Sequence, residues 1–209
     1  MNSRRIAIKE GLPRSEKFMR GWVEIWKKRK DENKFKHHSK SNLIVYVGRE
    51  YLLPRIFDVN NTSLSNPADS AKDYAIYWIS FGEGGAPAGD PLNPTPPTNS
   101  DTALASEITI GNNPSVYADA GKKHPIDAVV FQTDSNNDDR YLIAQVQATL
   151  DETEANGSGQ QNLNEAALWI SNSNDPSTAD KFLLFARATF PTIVKDANLT
   201  LQILWYIYS

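Results

Sequence analysis

The chain has three imidazoles, His37, His38 and His124, and hydrolytic or zinc chemistry would have to start from them. His37 and His38 are neighbours in a charged stretch, and His124 stands beside Lys122, Lys123 and Pro125. Neither H-E-x-x-H nor a Cys/His ligand spacing is present, and an adjacent pair fixes no metal geometry. His37 and His38 therefore read as solvated linker residues and His124 as a turn residue. The stretch Asp134-Ser-Asn-Asn-Asp-Asp139 opens like a calcium loop, but Asp139 stands where that loop needs Gly and Gln145 where it needs a bidentate Glu. It reads as a polar hairpin turn. Gly82-Glu-Gly-Gly-Ala86 lacks the Lys-Ser/Thr of a P-loop and the helix of a dinucleotide fingerprint, so it reads as a turn from strand to loop. Asp151, Glu152, Glu154 and Glu165 offer carboxylates, but a polar loop does not hold two of them at the separation glycoside chemistry requires. The expectation is a protein that is not an enzyme and needs no cofactor or metal.

Binding residues are easier to find. Ser15 to Asn33 has Phe18, Trp22, Ile25 and Trp26 at helical spacing behind a possible Ser15 cap, which predicts an amphipathic helix. Lys27, Lys28, Arg29 and Lys30 gather at its end, where cations suit the negative pole of a helix dipole. A nucleic-acid binder spreads its cations along a face, whereas these collect at one end. Aromatic anchors beside cations are also what a protein interface uses, so Trp22, Trp26 and Lys27 to Lys30 are assigned to partner binding, with protein preferred over nucleic acid or a membrane.

The charge distribution supports an arm and a body. Residues 1–40 hold 13 Lys/Arg against 5 Asp/Glu, and residues 41–209 hold 9 against 20. Opposite charges in two parts of one chain suit docking between copies. Residues 1–40 are read as a basic helical docking arm whose removal leaves the rest folded, and residues 41–209 as one β domain with an entry helix before Pro54. Zero cysteines fit assembly in a reducing cytosol. No apolar run is long enough to span a bilayer, and Met1 to Glu10 does not lead into a secretory apolar stretch, so neither membrane span nor signal peptide is expected.

From Tyr74 onward the pattern turns to short strands, read at Tyr74–Phe81, Ala105–Ile110, Ala128–Gln132, Arg140–Leu150, Glu165–Ser171, Lys181–Phe190 and Leu199–Tyr208. Together they predict a mainly β fold, an antiparallel β-sandwich of jelly-roll type with one or two N-terminal helices. The last strand puts Leu199, Leu201, Ile203, Trp205 and Ile207 on one face and Thr200, Gln202, Leu204, Tyr206 and Tyr208 on the other. The second face is too aromatic for an ordinary solvated surface, which assigns Tyr206 and Tyr208 to a subunit interface.

Several segments carry a resemblance. They are Asn42-Leu-Ile-Val-Tyr-Val-Gly-Arg-Glu50, Trp78-Ile-Ser-Phe-Gly-Glu-Gly-Gly-Ala-Pro87 with its Pro-rich sequel, and Asp101-Thr-Ala-Leu-Ala-Ser-Glu107. They continue with Asn164-Glu-Ala-Ala-Leu-Trp-Ile170, the run from Leu184 to Lys195, and Trp205-Tyr-Ile-Tyr208. In these segments the chain resembles virion structural proteins of tailed bacteriophages. The resemblance implies a virion component present in many copies in the neck, tail, baseplate or fibre attachment point, a homo-oligomer held by other virion proteins. The alternative is a receptor- or carbohydrate-binding module of a phage tail.

Overall fold

A computed structural model describes residues 20–44, 75–133 and 142–208. Nine strands run through them: β1 (Arg20–Arg29), β2 (Lys36–Ile44), β3 (Ala75–Gly82), β4 (His124–Pro125), β5 (Ala128–Thr133), β6 (Leu142–Leu150), β7 (Gln160–Ser171), β8 (Phe182–Asp196) and β9 (Leu199–Tyr208). Every pairing is antiparallel, and the strand order is β4-β3-β7-β8-β2-β1-β9-β6-β5. Two sheets share this order. The first is β5-β6-β9-β1-β2, the second β4-β3-β7-β8, and β2 serves both, pairing Lys36 to Asn42 with β1 and then Leu43 and Ile44 with Arg187 and Ala186 of β8.

The helix expected from Ser15 to Asn33 does not form over its described part, since Arg20–Arg29 is a strand inserted between β9 and β2, and Ser15 to Met19 lie outside the described residues. Its residues fit both periods, because Val23 and Ile25 alternate with Glu24 and Trp26, and Trp, Val and Ile favour strands. Pairing decides between them. Val23 lies opposite Trp205 and Ile25 opposite Ile203, so strand geometry buries both in the core while helix geometry would bury neither against β9. The division at residue 40 falls inside β2, and the entry helix expected over residues 41–53 begins as strand through Ile44. Residues 45–53 of that expectation, and the turn at Asp134 to Asp139, lie outside the described residues.

The core follows from alternation. Val23, Ile25, Val146, Ala148, Leu150, Leu201, Ile203 and Trp205 of the first sheet join Ile79, Phe81, Leu163, Leu168, Phe185 and Phe190 of the second in one buried cluster. At roughly 25 cal/mol per Å² of apolar surface, this shared cluster is the main stabilising term. Pro191 interrupts β8 without breaking it: the register jumps from Leu163↔Ile193 to Glu165↔Thr189, a bulge on the strand that lacks an N–H at that point. The bulge accepts a loop, with Thr192 N–H donating to Pro91 O at 2.8 Å. The expected strand Ala105–Ile110 is a correction too. It forms one isolated bridge, Glu107 to Gly82, within a long covering loop.

Candidate functional site

Two constellations stand on opposite outer faces, and the alternation of the strands places both. On the first sheet, the register sets Gln145 of β6, Tyr206 of β9 and Trp22 of β1 in one row, and Gln147, Leu204 and Glu24 in the next. Trp26 and His37 follow on β1 and β2. The side chains of Gln147, Gln145, Tyr206, Glu24, Trp26 and His37 form a connected surface. Trp26 Nε1 donates to Glu24 Oε2 at 3.3 Å, Tyr206 Oη donates to the same oxygen at 3.5 Å, and Gln145 Nε2 donates to Tyr206 Oη at 2.8 Å. Gln147 Nε2 extends the chain to Gln145 Oε1 at 3.1 Å. His37 stacks on Trp26 with ring centroids 4.3 Å apart, its Nε2 3.8 Å from Glu24 Oε1. On this sheet face Trp26, Leu204 and Tyr206 are half-buried and Gln145 is buried.

Trp26 and Tyr206, assigned from sequence to two different roles, are thus brought to one face. Trp22 and Tyr208 occupy strand positions of the same parity, with Trp22 in register with Tyr206 and Tyr208 with Arg20 and Ile143. The basic run occupies the end of β1 and the start of the β1–β2 turn. There Arg29 pairs with Asp196 at 3.3 Å, Lys28 Nζ lies 5.8 Å from the Phe35 ring, and the Lys30 N–H donates to Asn198 O at 2.8 Å. Lys27 continues β1, on the side opposite Trp26 and Lys28. Lys36 Nζ bonds Glu32 at 2.5 Å and holds that carboxyl below its ordinary value.

The second sheet carries its own network. Glu165, buried in β7, accepts from Arg187 Nε at 3.1 Å and Nη2 at 2.6 Å, and from the backbone N–H groups of Gly84 at 3.1 Å, Ala105 at 3.1 Å and Ser106 at 2.9 Å. Arg187 Nη1 reaches Asp101 at 2.6 Å. Burial pushes the Asp101 carboxyl up, but hydrogen bonds from Thr98 and Arg187 outweigh it and hold it below the usual range. The Gly-rich turn is explained by contact: a Cβ at Gly85 would meet Asn164 O at 2.3 Å, and one at Gly84 would meet Ala105 Cβ at 2.6 Å. Lys123, only 2% exposed, bonds Glu107 at 2.5 Å and Asp119 at 3.1 Å, and sits 4.2 Å from the centroid of Trp169. In the sequence Asp101, Glu165 and Arg187 stand in three separate motifs. Their convergence was missed, although a Glu and an Arg within apolar strands are a recognisable signal of buried pairing.

A third cluster ties two loops together. Glu154 accepts hydrogen bonds from Tyr117 and from the Asp151 N–H at 2.8 Å, and lies 3.2 Å from His124 Nε2. Burial pushes the His124 imidazole down, but the Glu154 carboxylate more than offsets it and raises its pKa; the same pairing holds Glu154 low against its burial. His124 is therefore a buried joint in an edge strand rather than a simple turn residue. These contacts join the two loops as an ionic clasp.

Among the described residues no group of three His, Asp or Glu side chains could hold a metal ion, and no helix is long and apolar enough to cross a membrane. No family model, curated protein or solved structure matches the chain.

Proposed function

We propose that the chain is a non-enzymatic structural component of a tailed-bacteriophage virion, built as a β-sandwich of its two sheets and docked through the outer face of the first. The observation that carries this reading is the hydrogen-bonded surface of Trp26, His37, Glu24, Tyr206 and Gln145, where aromatic rings and hydrogen-bonding groups share one sheet face. The motifs that resemble virion proteins add support. Asp101, Glu165 and Arg187 come from three of them and meet in one network, as expected where a pattern specifies a fold rather than a reaction. The partners are other virion proteins and further copies of the chain.

Peptide mass spectrometry of purified phage particles tests the reading. The chain is expected at a fixed ratio to the major virion proteins; its presence only in infected-cell lysate defeats the proposal. The sharing of one sheet face by Trp26 and Tyr206, with Gln145 and Gln147 beside Tyr206, also suits a sugar ring, which is the second reading. Saturable glycan binding by the purified chain, lost in Trp26→Ala, would favour it over structural docking.

A further inference from the structure

The strand order ends at β5, and β6 is the only strand paired with it among the described residues. An edge strand exposes unpaired backbone groups, and proteins usually blunt it with Lys, Pro, a bulge or a covering loop. β5 reads Ala128-Val-Val-Phe-Gln-Thr133, with no Lys or Pro, and its register against β6 runs unbroken. Three consecutive large apolar residues stand in solvent: Val129 is 41%, Val130 39% and Phe131 65% exposed. The fold explains why. Val129 and Phe131 lie opposite Val146 and Ala144, on the core side of the sheet, yet the facing edge of the second sheet is the two-residue β4. The chain then crosses at once to the first sheet, Ile126 N–H bonding Tyr77 O at 3.0 Å and Asp127 N–H bonding Gln147 O at 2.7 Å.

We infer that β5 is a homotypic pairing strand: it adds antiparallel to β5 of a second copy across a two-fold axis, joining the two first sheets into one continuous sheet. Strand addition needs only backbone groups and alternating side chains, and β5 presents both halves of that complement itself. A two-fold through Val130 sets Val129 against Phe131 of the second copy, Ala128 against Gln132 and Asp127 against Thr133. Apolar residues then meet, and no like charges oppose each other. Elsewhere, residues 41–209, with 20 acidic against 9 basic side chains, favour self-repulsion; β5 itself carries no charge. The inference deepens the homo-oligomer part of the proposed function and rests on that part alone.

The test is the mass of the full-length chain by light scattering over a concentration series, for wild type, Phe131→Lys and, as a control at an exposed apolar loop residue, Leu92→Lys. The wild type is expected as a dimer or an assembly of dimers. Phe131→Lys should weaken self-association at least about tenfold, with thermal unfolding unchanged because the side chain is exposed; Leu92→Lys should leave self-association as in wild type. Should Phe131→Lys fail to fold, Phe131→Thr keeps strand propensity and gives the same readout. A wild type that stays monomeric, or a Phe131 variant that associates as tightly as wild type, overturns the inference. Absence of the chain from particles would sink the virion reading and leave a β5 dimer standing; a monomer found normally in particles would do the reverse.

Discussion

The outer faces of the two sheets carry similar residues and meet different fates. On the second sheet Trp78, Trp169 and Leu184 are buried beneath Leu104 and Ala118, and the loop that covers them is fastened by Glu165, Arg187 and Lys123. On the first, Trp26 and Tyr206 remain half-buried, bonded to neighbours in their own sheet. The same aromatic chemistry thus completes a fold where a loop of the chain arrives, and on the first sheet it is the face that the proposed function assigns to docking. A fully buried carboxylate marks the first case: Glu165 binds N–H groups of the covering loop, whereas Glu24 on the first sheet stays half-buried and bonds Trp26 and Tyr206.

The contrast can be broken from either side. The largest effect is expected from deleting residues 1–40, which removes β1, most of β2, and Val23 and Ile25 from the core. Cooperative unfolding, followed by circular dichroism, should be lost, whereas a detachable arm would leave it intact. Glu165→Ala comes next. It strands Arg187 half-paired and leaves the Gly84, Ala105 and Ser106 N–H groups without their acceptor, a cost of about 3–5 kcal/mol in denaturant unfolding.

The His124–Glu154 joint predicts a pH dependence whose sign is set by the two shifts. A raised His124 pKa adds stability that is full below its ordinary value of 6.5 and is lost as pH climbs through the raised value. A lowered Glu154 pKa adds stability present above 4.5 and lost as pH falls through the lowered value. Stability should fall on both sides of this window, and His124→Gln should flatten the alkaline limb. The smallest change is Tyr206→Phe, which removes hydroxyl bonds on a half-buried face and should cost about 0.5–1.5 kcal/mol.

The alternation of Leu199 to Tyr208 made β9 legible, because no competing period fits that run. β1 was illegible for the opposite reason: Phe18, Trp22, Ile25 and Trp26 satisfy a helical stripe, and only long-range pairing with β9 and β2 selects the strand. Ala105–Ile110 misled through its apolar alternation; Ile108 and Ile110 do turn inward, but from a loop bonded to Phe81 and Gly121. Trp26 and Tyr206 were each visible as interface residues. Their union was not, since 180 positions of sequence separate them and the β1–β9 register brings them together.

The most direct test of the docking face is the occupancy of Trp26→Ala/Tyr206→Ala in assembled particles, measured against isolated variant protein shown to be folded. The account predicts a folded chain whose occupancy falls about tenfold, the loss of ~1.4 kcal/mol of interface. Wild-type occupancy of the double variant would contradict it, and would move the interface away from the first sheet.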